Sequence, residues 1–227
     1  MTYLNLNEFQ NTVKRPIKNL KALTLLPELR LLKISDQESI IRISDLIGLK
    51  NLKELQLPWG CNTIDFTNIN HLNSLETIEI GSSGGQGMNI NTVNIEEIGG
   101  LHNIKRLLIP IRSNVESAGF LSTILSLEEL YLFNGSYPDS VFVSDALNDI
   151  AYRRRPLDMN IFRNLRNLKY LIMNGFIIKN SGTLNGLQQL ELIGIENSSF
   201  NSNEDNILIN PDILKIPNIT IYTGYEH

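Results

Sequence analysis

Four stretches of the chain share one apolar spacing: 49-LKNLKELQL-57, 72-LNSLETIEI-80, 101-LHNIKRLLI-109 and 184-LNGLQQLEL-192. In each, apolar side chains stand at steps of three, three and two. Eight stretches fit this comb, ending at Ile34, Leu57, Ile80, Ile109, Leu132, Met173, Leu192 and Ile221, at intervals of 23, 23, 29, 23, 41, 19 and 29 residues. The closing apolar-x-apolar pair has period two, which is a short strand with one buried face. The spacing of three before it suits a 3₁₀ turn, where residues i and i+3 eclipse. A longer rhythm contains the comb. It runs Ile41, Ile43, Leu46, Leu49, Leu52, Leu55, Leu57, and again from Ile64 and Phe66 to Ile80 and from Val93 and Ile95 to Ile109. No such unit buries its apolar row alone, whereas stacked units share one continuous core.

On these residues the chain resembles the leucine-rich repeat family, whose repeats run 20–29 residues. The likeness is to the short-repeat, internalin-like class. It implies an α/β solenoid, a horseshoe or arc with a parallel concave sheet of about eight strands and 3₁₀ or irregular convex segments. The family's pattern places Asn three residues after the last strand leucine. Those places here hold Gln37, Gly60, Ser83, Arg112, Gly135, Phe176, Ile195 and Gly224, so that asparagine ladder is absent.

The domain expectation follows. Residues 1–25 read as an N-terminal cap, because their comb (Ile17 to Leu25) ends only nine residues before Ile34, too close for a parallel neighbour strand. Residues 26–223 read as the solenoid and 224–227 as a tail. Insertions fall near 81–92, which is glycine-rich, and near 134–160. Within the second, 144-SDALNDIAYRRR-155 reads as a short helix capped by Ser144 and stopped by Pro156. The lightly capped C-terminal end is a place for self-association.

Period two also assigns the outward side chains. One column reads Lys33, Gln56, Glu79, Leu108, Tyr131, Ile172, Glu191, Thr220. Its neighbour reads Leu31, Glu54, Thr77, Arg106, Glu129, Tyr170, Gln189, Asn218. The third, at the strand ends, reads Ser35, Pro58, Gly81, Pro110, Phe133, Asn174, Ile193, Tyr222. The early turns are polar. Later ones turn Leu108, Tyr131, Phe133, Tyr170 and Ile172 toward solvent, and a contiguous exposed apolar patch marks an interaction site. These five, with Arg106, Glu129 and Glu79 setting specificity, are the candidate contact residues for a partner protein. The aromatics have a second reading, as core beneath the insertion that follows Phe133 directly.

Catalytic chemistry is thin. The histidines are His71, His102 and His227, and there is no HExxH or P-loop motif. Cys61 is the single cysteine and has no histidine placed to activate it. The stretch from Gly81 through Ser83 to Gly85 fits GxSxG, but a nucleophile elbow must enter a helix at once, and the chain continues Gln86-Gly87-Met88. No metal ligand set and no cofactor are expected. A formal charge of −4 gives no electrostatic footprint for nucleic acid. No apolar run suits a membrane span or a cleaved secretory signal. The chain is therefore expected to be cytoplasmic, although export by a signal-independent route would leave the same sequence. The reading is a non-catalytic module that binds another protein, acting as an inhibitor or toxin-neutralising protein. The alternatives are a secreted bacterial effector docking on a host protein and, behind it, a hydrolase using Ser83.

Overall fold

The computed structural model describes residues 2–6, 20–34, 40–58, 61, 63–81, 91–111, 115–134, 155–196, 199–200 and 220–222. The chain divides into two compact units, Met1–Ile109 and Pro110–His227.

The first unit holds β1 (Tyr3–Asn5), β2 (Leu31–Lys33), β3 (Ile40–Arg42), β4 (Glu54–Leu57), β5 (Thr63–Asp65), β6 (Thr77–Ile80), β7 (Asn91–Val93) and β8 (Arg106–Pro110). Strands β1, β2, β4, β6 and β8 pair in parallel in that order. Leu55, Ile78 and Leu107 stand level across them, all fully buried. The teeth of the comb therefore form one interior file. The first comb strand is covered by β1, where Tyr3 is level with Leu31 and Asn5 with Lys33.

The second unit holds β9 (Glu129–Phe133), β10 (Arg155–Asp158), β11 (Tyr170–Asn174), β12 (Phe176–Lys179), β13 (Leu192–Glu196), β14 (Ser199–Phe200) and β15 (Thr220–Tyr222). Here β9, β11, β13 and β15 pair in parallel. Leu130, Leu171 and Ile193 form the interior file, again fully buried. Every one of the eight comb stretches thus contributes a strand to a parallel ladder.

Two registers differ from the sequence reading. Leu171 is level with Ile193, not Leu190, and Ile193 is level with Ile221. The spacing of three in this repeat runs longer than the comb, through Leu184, Leu187 and Leu190, before the strand pair Ile193 and Ile195. A comb of threes matches such a run one step early. Gln189 and Glu191 consequently leave the outward columns, Leu192 stands level with Tyr170, and Gly194 with Ile172. Ile193 is an interior residue, Glu196 takes its strand-end place, and Thr220 is level with Leu192.

Each unit also has a second, smaller parallel sheet that the sequence reading does not contain: β3-β5-β7 in the first and β10-β12-β14 in the second. Its strands are the apolar-x-apolar steps that open the longer rhythm. Ile41 and Ile43, Ile64 and Phe66, Leu157 and Met159, and Phe176 and Ile178 are all buried. The segment Arg155–Asp158 is already such a strand, so the 134–160 insertion ends earlier than the sequence suggests. Pro156 lies inside β10, which among the described strands is at the edge of its sheet, where a strand tolerates a residue without an N–H. The proposed helix at 144–155 otherwise lies outside the described residues, as do Trp59 and most of the glycine-rich stretch.

From β3, β5, β7, β10 and β12 the chain enters the 3₁₀ segments Ile43–Leu46, Ile69–His71, Ile95–Gly100, Met159–Phe162 and Ser181–Gly186. Asn68, Asn94 and Asn180 open three of them with φ of 67°, 56° and 56°, a left-handed conformation that Asn adopts more readily than most residues. The corner between β11 and β12 is the single residue Gly175, at φ 83°. A Cβ there would stand 3.1 Å from Asn134 Cβ.

An amide ladder does exist, but at another position. Asn51 Nδ2 donates to the Pro27 carbonyl at 3.0 Å, Ser74 Oγ to Lys50 at 2.7 Å, Asn103 Nδ2 to Asn73 at 2.7 Å and Asn167 Nδ2 to Leu125 at 2.9 Å. Each donor precedes the last tooth of three before the strand, and each acceptor belongs to the preceding repeat. The ladder ties repeat to repeat on the side where backbone carbonyls of the turns have no strand partner.

Candidate functional site

The exposed face of the long strands is the candidate surface, since the strands alternate half-buried outward residues with buried inward ones. The eight predicted contact residues fall into two groups. Glu79, Arg106 and Leu108 belong to the first unit, and Glu129, Tyr131, Phe133, Tyr170 and Ile172 to the second.

In the first unit the outward groups bond to one another. Arg106 Nε lies 3.0 Å from Glu79 Oε1, reaching diagonally across β6 and β8. Leu108 stands level with Glu79. Gln56 Nε2 donates to Glu54 Oε1 at 2.6 Å. Just before the strands a row of charges continues the pattern. Glu76 sits between two lysines, with Lys53 Nζ 2.5 Å from Oε1 and Lys105 Nζ 3.2 Å from Oε2. Hydrogen bonds from Lys53 and then Lys105 hold the Glu76 carboxyl below its ordinary range, because both favour the charged form.

The second unit presents a different face. Parallel neighbour strands lie about 4.8 Å apart, so side chains that stand level touch. Tyr131 is level with Ile172 and Glu129 with Tyr170, while Phe133 and Asn174 share the strand ends. All six are half-buried. Leu192 extends the apolar row beside Tyr170. Gly194 supplies no side chain, and a Cβ there would stand 3.0 Å from Ile172 Cγ1. Ile172 therefore leans across the glycine and closes the gap its neighbour leaves. The preceding charge row carries the opposite sign order. Lys169 Nζ lies 2.7 Å from Glu128 Oε2, and Tyr170 Oη donates to Glu191 Oε2 at 2.9 Å. That bond to Glu191 raises the Tyr170 phenol above its usual value, since it favours the neutral donor. The bond to Glu128 raises the Lys169 ammonium.

The charge row was missed in the sequence, yet its signal is visible there. Residues 51–53, 74–76, 103–105, 126–128 and 167–169 read NLK, SLE, NIK, SLE and NLK. One run carries both the amide ladder and the alternating charges.

The other candidate residues are described only in part. His71 ends a 3₁₀ segment, and both it and His102 are exposed on separate turns. The Cys61 thiol is buried, 3.7 Å from the Pro58 carbonyl to which it donates. Ser83 lies outside the described residues. Among the described residues no group of three or more His, Cys, Asp or Glu side chains could hold a metal ion. No described helix is long and apolar enough to cross a membrane.

No protein-family model and no curated protein matches the chain. Solved structures do. The crystal structure of internalin C2 from Listeria monocytogenes str. 4b F2365 is 17% identical and matches with a TM-score of 0.62 over 92% of this chain and 77% of that one. The Arabidopsis receptor kinase HAESA, in complex with the peptide hormone IDA and the co-receptor SERK1, is 17% identical with a TM-score of 0.61, over 88% of this chain but 30% of that one. The leucine-rich repeat ectodomain of the Arabidopsis thaliana receptor kinase GASSHO1/SCHENGEN3 is 16% identical with a TM-score of 0.50, over 79% of this chain and 20% of that one. What is shared at these identities is the fold, which is an internalin-like leucine-rich repeat.

Proposed function

We propose that this leucine-rich repeat chain is a non-catalytic module that binds another protein through the exposed face of its long strands. The observation that supports it most is the change of outward chemistry at constant backbone register. Strands that turn Glu54, Gln56, Thr77 and Glu79 outward in the first unit are matched in the second by strands that turn out Tyr131, Tyr170, Ile172 and Leu192. Tyrosines are among the residues that dominate binding energies, the aliphatics beside them exclude water, and a sheet held from below loses little freedom on binding. HAESA, with the same fold, is complexed with a peptide hormone and a co-receptor, which supports the same use of the fold here.

Of the roles open to such a face, inhibition or toxin neutralisation requires nothing beyond occupying the partner. Docking on a host protein as a secreted effector requires a route of export as well, and is the second reading. The test is capture from the native lysate on immobilised chain, run beside the double variants Tyr131→Ala with Tyr170→Ala and Glu54→Ala with Gln56→Ala. The first variant should lose the captured protein with little change in melting temperature, and the second should keep it. Equal capture by both variants refutes the assignment, and a collapse in melting temperature of the first shows the tyrosines to be core.

A further inference from the structure

We infer that the partner of the second unit's face presents a cationic side chain, lysine or arginine, flanked by an aliphatic one. The inference rests on the protein-binding reading and adds the chemistry of what is bound. It comes from charge order and from the shape of the apolar row.

From Lys53 to Glu191 the residue just before each described long strand alternates in sign. In the first unit the row reads Arg30, Lys53, Glu76, Lys105, three cations and one carboxylate, for a formal charge of +2 (3 − 1). In the second it reads Glu128, Lys169, Glu191, two carboxylates around one ammonium, for −1 (1 − 2). Lys169 is drawn to Glu128. Glu191 is exposed and is turned instead toward the Tyr170 hydroxyl. A carboxylate is thus held at the hydroxyl of Tyr170, on the strand that also carries the half-buried Ile172.

This arrangement discriminates by charge. A guanidinium or ammonium resting on a tyrosine ring gains from the ring quadrupole and reaches Glu191 for a charge-assisted hydrogen bond. A carboxylate in the same place meets a like charge. Beside it, Ile172 leaning over Gly194, and Leu192 next to Tyr170, form a low apolar step. That step fits a branched aliphatic residue adjacent to the cation. In the first unit the carboxylates beside the outward Leu108 are shared with cations, Glu79 with Arg106 and Glu76 with two lysines.

The experiment is selection of a phage-displayed random peptide library on the full chain. The enriched peptides are then synthesised and titrated by fluorescence anisotropy against wild type, Glu191→Gln and Tyr131→Ala. Tyr131→Gln replaces the last variant if it fails to fold. The expected result is enrichment of Lys or Arg beside Leu, Ile or Val. Affinity should fall about tenfold or more in Tyr131→Ala and roughly threefold in Glu191→Gln, with a further fall at high salt. Peptides without cations, or cationic peptides that bind Glu191→Gln as tightly as wild type, overturn the charge inference. In that case the protein-binding reading stands provided Tyr131→Ala still loses them. Binding that ignores Tyr131→Ala, or no enrichment at all, removes both.

Discussion

Two regions of this molecule share one backbone and differ in what they show to solvent. In Met1–Ile109 the outward side chains of the long strands bond to each other, Arg106 to Glu79 and Gln56 to Glu54. In Pro110–His227 rings and branched aliphatics take several of the corresponding positions, beside Glu129, with Tyr131 next to Ile172 and Tyr170 next to Leu192. Inward, the two cannot be told apart: Leu55, Ile78 and Leu107 match Leu130, Leu171 and Ile193. The inward teeth specify the coil, and the outward ones are free to vary because the pleat separates the two sets.

The comparison can be broken hardest from the inside. Ile78→Ala and Leu171→Ala should each cost about 2–5 kcal/mol in chemical denaturation, by similar amounts in the two units. Tyr131→Ala should cost clearly less than Leu171→Ala. Equal costs would make the tyrosine a core residue and dissolve the contrast between the faces. Next in size is the amide ladder. Asn103→Ala and Asn167→Ala each remove one side-chain bond to a neighbouring repeat and should cost about 1 kcal/mol. A negligible loss at both would show the ladder to be incidental.

The charge row is smaller still. Its Lys53–Glu76–Lys105 group is partly exposed, with side-chain accessibilities of 53%, 32% and 56%. Glu76→Gln should therefore cost less than about 1 kcal/mol at neutral pH and low salt. The Glu76 carboxyl is depressed in the folded state. Its contribution is present above the unfolded value and is lost as pH falls through the folded one. Wild type and Glu76→Gln should converge in acid, and a gap that persists there would rule out the carboxylate as its source. The smallest effect is spectroscopic. Among tyrosines labelled for NMR, Tyr170 should titrate above the ordinary phenol value and return toward it in Glu191→Gln. An unchanged titration would mean the Tyr170–Glu191 bond is not formed in solution.

How much of this the sequence discloses depends on distance along the chain. The interior files are legible because alternation within one strand is local, and five teeth from five repeats fall where period two puts them. The misstep at 184–192 is instructive. Leu184, Leu187 and Leu190 keep the spacing of three beyond the length of the comb, and only pairing with β11 shows that the strand begins at Leu192. The second sheet is hidden by brevity, since strands of two to four residues carry one alternation each. Of the candidate site, the outward identity of Tyr131, Phe133, Tyr170 and Ile172 is readable. Their partners are not, because whether Arg106 reaches Glu79 or Tyr170 reaches Glu191 depends on stagger between strands 21 to 27 residues apart in sequence.

The alternation of Lys53, Glu76, Lys105, Glu128, Lys169 and Glu191 has a bearing on how such a chain can grow. Within the run from Lys53 to Glu191, duplicating or deleting a single turn would set lysine beside lysine or glutamate beside glutamate, the like-charge neighbourhood that Arg30 and Lys53 already form before it. Two turns copied together leave the sequence of signs whole. Over that run, growth by doublets keeps opposite charges adjacent, and growth by singlets repeats the Arg30–Lys53 arrangement at the new junction.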